Sequence, residues 1–320
     1  MQGRPKKYDD TTYWTDIHKR YEGSLLAVGH PTLCERLNQL KYASEARTIL
    51  RSLEDIGQRF KQLGREELSI LDAGAGLGYW TNVVSDAFHK QGFRVKLTVL
   101  DISQEALEIV RQGSLSIRAV REDLKTINPD LFSHSFDLVI SCYCLHHLVH
   151  LQGFLNALHF VGRSVRQDGF LIIMDPVLSL PFSRFDVIEF RSYRGNGIPR
   201  HLYLIEDVLE KEGLNRLVIR PAVSFLLNGN IEGYDWVTYT LASTLWKAFS
   251  RLIYRSDNRV RLVFGILSSL DRALKGLNLA FSSSVCVYRR SNSESAQETG
   301  RGDSIFDYLQ KTRRDQEDLC

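Results

Sequence analysis

Three glycines at alternate positions, Gly74, Gly76 and Gly78, follow the apolar run Leu68–Leu71 and the acid Asp72. Glycine tolerates positive φ and lets backbone press against a ligand, so this is the composition of a sharp strand-to-helix turn that holds a small molecule. A dinucleotide fingerprint, GxGxxG, would place its third glycine at position 79, which is Tyr79. The dinucleotide pattern aims a helix N-terminus at a pyrophosphate. The spacing here suits a nucleoside that carries no phosphate. Asp101 and Asp175 close two later apolar runs, as Asp72 closes the first. In open α/β sheets, ligands bind where strands end.

The surrounding pattern supplies those strands. From residue 68 the chain alternates short apolar runs with amphipathic stretches: Leu68–Leu71, a helix from Trp80 to Gln91 closed by Gly92, Val95–Leu100, a helix capped by Ser103, then Ser116–Val120. Phe136–Ser141 is almost wholly apolar, as a strand buried on both faces must be. A helix follows through Leu151 to Val165, then a strand over Phe170–Met174, a helix over Ile205–Glu212 and a strand over Leu217–Val223. The alternation predicts a Rossmann-like, doubly wound α/β sheet of seven strands, mostly parallel, with an antiparallel last strand at Ser284–Arg290. The expected divisions are 1–64, an N-terminal helical lid with helical spacing over Leu33–Leu53; 65–223, the ligand-binding core; 224–283, a helical insertion; 284–290, the closing strand; and 291–320, a disordered polar tail.

Composition narrows the function classes. The 320 residues have a net charge of +3, too small to argue for nucleic acid. No apolar run is long enough to span a membrane. The N-terminal MQGRPKKYDD lacks the apolar core of a secretory leader, and five cysteines are scattered and odd in number, so reduced thiols in a cytoplasmic protein are expected.

With these residues in view, the chain resembles the class I S-adenosylmethionine-dependent methyltransferases, in particular their small-molecule branch. The resemblance rests on ILDAGAGLG, LDIS, Glu122-Asp123-Leu124, FDLVISCYCLHHL and RQDGFLIIMDP, in that order and at family spacing. It covers about residues 65–220 and the strand at 284–290, and it implies S-adenosylmethionine as cofactor. Gly74, Gly76 and Gly78 would then lie against that cofactor, Asp72 near its methionine amino group, and Asp101, followed by Ile102, on both ribose hydroxyls. Asp123 would face the adenine amino group with Leu124 beside the ring, and Ser141 and Cys142 would sit near the methionine part. A carboxylate has two acceptor oxygens and suits a vicinal diol. Purely structural roles compete at each site: a tight turn for the glycines, a helix N-terminal acid for Asp101, a turn cap for Asp123, a satisfied buried acid for Asp72. Cys142 and Cys144 form a CxC at strand period that would point both thiols to one face, as small core residues; no metal site is expected.

His146 and His147 carry two readings. Relatives pack histidine here without using it; a histidine beside the methyl donor can also act as general base on a hydroxyl acceptor. Arg191, Arg194, Arg200 and His201 follow the fifth strand, where substrate segments of this family often lie; they either pair with an anionic group on the acceptor or form a solvated loop. Tyr13, Trp14 and Tyr21 are candidates for a lid over the acceptor or for a plain hydrophobic clasp.

The expected activity is methyl transfer to a small molecule, most readily at oxygen. Two further readings stay open: a lipid- or quinone-type methyltransferase at a membrane surface, and a scaffold that binds S-adenosylmethionine without catalysis. A nicotinamide-dependent oxidoreductase is disfavoured by the glycine spacing. The departure from the family is the insertion of about sixty residues before the last strand. Its two amphipathic stretches carry Lys247, Arg251, Arg255, Arg259, Arg261, Arg272 and Lys275 among apolar residues. They fit a packed cap over the acceptor, a homodimer surface or a peripheral membrane contact.

Overall fold

The computed structural model describes residues 10–21, 24, 26, 29–30, 32–113, 116–178, 197–229, 231, 236–279 and 282–291. The glycine turn joins β1 (Glu67–Ala73) to α3 (Tyr79–Lys90), and Gly92, at φ 92°, ends that helix's exit turn. Next come β2 (Arg94–Asp101), α4 (Gln104–Arg111), β3 (Ile117–Arg121) and β4 (Phe136–Cys142). Ser103 caps α4 by accepting from Ala106 N at 3.2 Å, which satisfies one of the helix's orphan donors. Every residue of β4 is buried, which explains why it is apolar throughout.

A 3-10 turn, Leu145–His147, leads to α5 (Leu151–Ser164) and β5 (Val165–Leu178); β6 (Arg200–His201), α6 (Leu202–Lys211) and β7 (Leu214–Pro221) follow. The sheet order is β3-β2-β1-β4-β5-β8-β7, where β8 is Ser283–Arg290 and runs antiparallel to both neighbours; β6 pairs only with β5. The other pairings are parallel. This is the doubly wound Rossmann-like sheet that the alternation predicted, with the two-residue β6 as an addition.

Two cores flank the sheet. One joins the inner side chains of α5 and α6 to Leu71, Val139, Leu171 and Ile173. The other joins α3 and α2 (Glu35–Gln62) to Ile70, Leu138, Ile140 and Ile172. α2 runs past Leu53 because Ile49, Leu53, Ile56 and Phe60 keep one stripe buried along its C-terminal half. β5 begins at Val165, earlier than Phe170, because Phe136 pairs with Val165 before a bulge at Asp168, φ 61°, resets the register. The insertion forms α7 (Trp236–Leu252) and α8 (Asp257–Gly276). A buried polar knot fastens α8 to α2: Asp271 accepts from Ser44 Oγ and from Ser224 N at 2.8 Å, and Lys275 Nζ donates to Ser44 Oγ at 2.8 Å and Thr48 Oγ1 at 3.1 Å.

Candidate functional site

All three glycines of the turn have positive φ: 82° at Gly74, 51° at Gly76 and 76° at Gly78. A side chain at Gly74 would collide with Cys144 Sγ, and one at Gly78 would come within 2.9 Å of Val110. Gly74 N and Ala75 N both donate to Leu100 O, at 2.7 and 3.1 Å, which draws the turn against the end of β2. There Asp101 receives Gly76 N on Oδ2 at 2.8 Å and Ser103 N on Oδ1 at 2.9 Å. Each oxygen keeps a further lone pair for a ligand hydroxyl.

The turn forms the floor of a cavity of about 340 Å3 at the carboxyl ends of the strands. Gly74, Ala75, Gly76, Asp101, Ile102, Asp123, Leu124, Cys142 and both histidines line it. Asp123 accepts from Lys125 N at 2.9 Å. α1 (Asp10–Arg20) contributes part of the wall: Tyr13, Trp14, Ile17 and His18 line the same cavity, and Trp14 meets His147 edge-on at 4.7 Å. Lys19 holds α1 to α4 through Glu105 at 3.1 Å. Burial lowers the pKa of His18, and its Nδ1 has no partner among the described residues.

His146 is fixed by an acid the sequence reading did not join to it. Its Nδ1 lies 2.6 Å from Asp175 Oδ1, while Asp175 Oδ2 accepts from Leu145 N at 3.2 Å. Both groups are buried, so the charged form of each is disfavoured. Burial pushes Asp175 up to about 8. Burial, and secondarily the Lys41 ammonium, take His146 down to about 3. With Nδ1 engaged, Nε2 is the nitrogen that can exchange a proton. Gly197 leaves it room: a Cβ there would stand 3.2 Å from His146 Nε2.

A buried polar cluster in the same wall was also missed. Lys41 Nζ pairs with Glu45 at 2.9 Å and lies 4.0 Å from the Tyr143 ring centre. Tyr143 donates its hydroxyl to Glu45 at 2.5 Å. His30 Nε2 meets Asn228 Oδ1 at 3.1 Å, and Lys41, Tyr143, His30 and Asn228 all line the cavity. The signal available in sequence was a lysine and a glutamate four apart on the apolar face of α2. Tyr143 has φ 53°, which is strained for a tyrosine. That kink breaks the strand period expected of Cys142 and Cys144: Cys142 packs in the α2–α3 core and Cys144 against the α5–α6 core, so the two thiols do not share a face.

Other expected residues stand apart from the cavity wall. Asp72 is buried behind the turn, accepts from Thr81 Oγ1 at 2.6 Å and is pushed up to about 7 by burial. Ser141 donates to Ala73 O at 3.1 Å. Gly78 serves the turn, and Tyr21 follows α1 outside the lining. Arg200 donates to Val149 O at 2.9 Å and lies over the Phe154 ring, a structural position. His201 is the N-cap residue of α6. Arg191 and Arg194 lie outside the described residues. Among the described residues, no group of three or more metal-ligating side chains comes together.

Comparison with known proteins adds an independent result. Residues 70–169 match the family model of a methyltransferase domain. The chain is 28% identical over 207 residues to the demethylmenaquinone methyltransferase of Tropheryma whipplei, covering 65% of this chain and 74% of that protein. It is 28% identical over 180 residues to clavatol synthase of Penicillium crustosum, covering 53% of this chain but only 7% of that much longer protein. Among solved structures, magnesium protoporphyrin IX methyltransferase of Synechocystis, with bound S-adenosylhomocysteine, superposes with a TM-score of 0.46 at 12% identity, over 88% of this chain and 98% of that one.

Proposed function

We propose that this chain, which carries a class I S-adenosylmethionine-dependent methyltransferase domain, transfers the cofactor's methyl group to an oxygen of a small molecule, with His146 as general base. The observation that carries the reading is the His146–Asp175 pair, set in the wall of the cavity whose floor is the glycine turn.

The residues present fit the cofactor. The backbone at Gly74 and Gly76 is bare, and the wall holds an anchored carboxylate, Asp101, for a vicinal diol and an acid, Asp123, for an exocyclic amine. S-adenosylmethionine, when bound, supplies a methyl carbon on a positively charged sulfur, already activated for attack. The protein's part is alignment and closeness, effects that reach about 7–11 kcal/mol in well-oriented reactions. Closure by Tyr13 and Trp14 keeps water from the reacting atoms. His146 Nε2 takes the proton of the acceptor hydroxyl as its oxygen becomes nucleophilic, and Asp175 holds the ring through Nδ1. Lys41, buried at 3% exposure with its ammonium in the wall, favours the negative charge that develops on that oxygen.

The test is methyl transfer from labelled S-adenosylmethionine to a panel of phenols and hydroxyquinones, with demethylmenaquinone, the compound in the bacterial relative's name, which has a ring carbon to methylate and no hydroxyl, as the carbon-acceptor comparison. The expected result is an O-methylated product, formed about 10²–10⁴-fold more slowly by His146→Gln, with unchanged affinity for S-adenosylhomocysteine. Methylation at carbon, or an undiminished rate in His146→Gln, overturns the reading.

A further inference from the structure

Each helix of the insertion carries two apolar stripes. The inward stripes, Ala242, Trp246 and Phe249 on α7 and Val260, Leu267 and Leu274 on α8, pack on the protein. The second stripes are different residues. On α7, Val237, Leu241, Leu245, Ala248 and Leu252 recur at intervals of four, four, three and four; on α8 and its C-cap, Leu262, Ile266, Leu270, Ala273 and Leu277 repeat the same intervals. That spacing makes a continuous strip along a helix. All ten are exposed, Leu262 at 84%, Ile266 at 63% and Leu241 at 61%. Ten of the sixteen exposed large hydrophobics among the described residues fall within 236–277, so exposed apolar side chains concentrate on these two helices rather than scattering over the surface.

Charge selects the occupant. Residues 236–279 hold seven basic side chains and two acidic ones, while the whole chain carries only +3. Of the two acids, Asp271 is buried and Asp257 accepts from Arg36 N at 2.9 Å. Lys247, Arg251, Arg255, Arg259, Arg261 and Arg272 are all exposed. A second copy of this chain would set like charges against one another, whereas an anionic lipid surface accepts both the apolar stripes and the arginines. Trp236, 68% exposed at the start of α7, is a side chain suited to the headgroup level. Among the described residues, no helix is long and apolar enough to cross a membrane.

We propose that α7 and α8 dock the protein peripherally on an anionic lipid surface. The docked element adjoins the cavity: Trp246 lies 5.4 Å from His30, which lines it, so an acceptor dissolved in lipid reaches the site past this wall. The proposal concerns helices outside the matched domain and stands or falls separately from the methyl-transfer reading.

The experiment is co-sedimentation of the full chain with vesicles of phosphatidylcholine alone and of phosphatidylcholine with phosphatidylglycerol, alongside solution mass by light scattering. The chain is expected to pellet with the anionic vesicles only, and less as salt is raised. Replacing Leu241, Leu245, Leu262 and Ile266 together by glutamate abolishes pelleting while leaving the melting temperature unchanged, because all four are exposed. Replacing Arg251, Arg255 and Arg261 by serine weakens it on the order of a hundredfold, at about fivefold per charge. Failure of the wild type to pellet overturns the proposal, as does a glutamate variant that pellets normally. A wild-type mass of twice 36.7 kDa that the glutamate variant halves, without vesicle binding, assigns the patch to a second copy instead.

Discussion

On the proposed mechanism, Asp175 sets the pH at which His146 can act as general base. At neutral pH the pair holds one proton more than catalysis needs, whichever partner carries it. Once the pair loses that proton near the raised Asp175 value of about 8, Nδ1–H faces a carboxylate and Nε2 is free to accept. The proposed methyl transfer to a hydroxyl is therefore expected to rise with pH and level off above about 8, read as kcat/KM across pH 6–10. In Asp175→Asn that limb disappears and the rate falls by about 10²-fold or more, with S-adenosylhomocysteine affinity kept; an unaltered pH profile would mean that Asp175 only packs. His146 and the strand-end acid were each legible in the sequence. Their pairing was not, because 29 residues separate them and only the adjacency of β4 and β5 brings them together. Gly74 was legible for a local reason, its positive φ. Gly74→Ala meets both the φ cost and the Cys144 thiol, and its expected destabilisation of about 1–3 kcal/mol is readable as a lower urea midpoint.

At the scale of elements, the strand–helix alternation and its periodicities were enough for the core, and Ser103, Gly92 and the apolar β4 marked boundaries by local chemistry. Boundaries set by tertiary pairing were hidden, such as the early start of β5 opposite Phe136. So was the way α8 is held. Asp271 is fully buried, yet in sequence it is one charged residue among many on an amphipathic helix. Its partners, Ser44 and Ser224, come from distant segments, and Lys275, 3.9 Å away, belongs to the same knot. Asp271→Ala strips the carboxylate from a buried donor set and costs about 3–5 kcal/mol, measured by chemical denaturation. A loss below about 1 kcal/mol would show that α8 does not depend on this knot. The cavity's Lys41–Glu45–Tyr143 cluster escaped notice for the same reason: α2 was legible as a helix, while the face it turns to the site is set by packing on β8 and α8.

For the whole molecule, the buried acids and histidines give stability a pH signature. Asp175, at about 8, and Asp72, at about 7, hold protons in the folded state that the unfolded chain releases from its ordinary carboxylate range. Their contribution is complete at low pH and is lost as pH rises through the folded values. His146 and His30, both lowered to about 3 chiefly by burial, act oppositely, but only between about 3 and 6.5. Above pH 6.5 the acids are unopposed by these histidines. The ligand-free protein is therefore expected to lose about 2 kcal/mol between pH 6.5 and 8, seen as a falling melting temperature; a flat or rising one contradicts the burial of these acids as neutral groups.

The central claim is that the cavity above the glycine turn holds an adenosine cofactor through Asp101. Calorimetric titration with S-adenosylhomocysteine tests it most directly, on the wild type and on Asp101→Asn, which keeps one acceptor for the turn. Saturable binding by the wild type, weakened at least about tenfold in the variant, is the predicted result, since a hydrogen bond to a charged group contributes about 1.5–3 kcal/mol. No heat from the wild type, or equal affinity in a variant with an unchanged melting temperature, would contradict it.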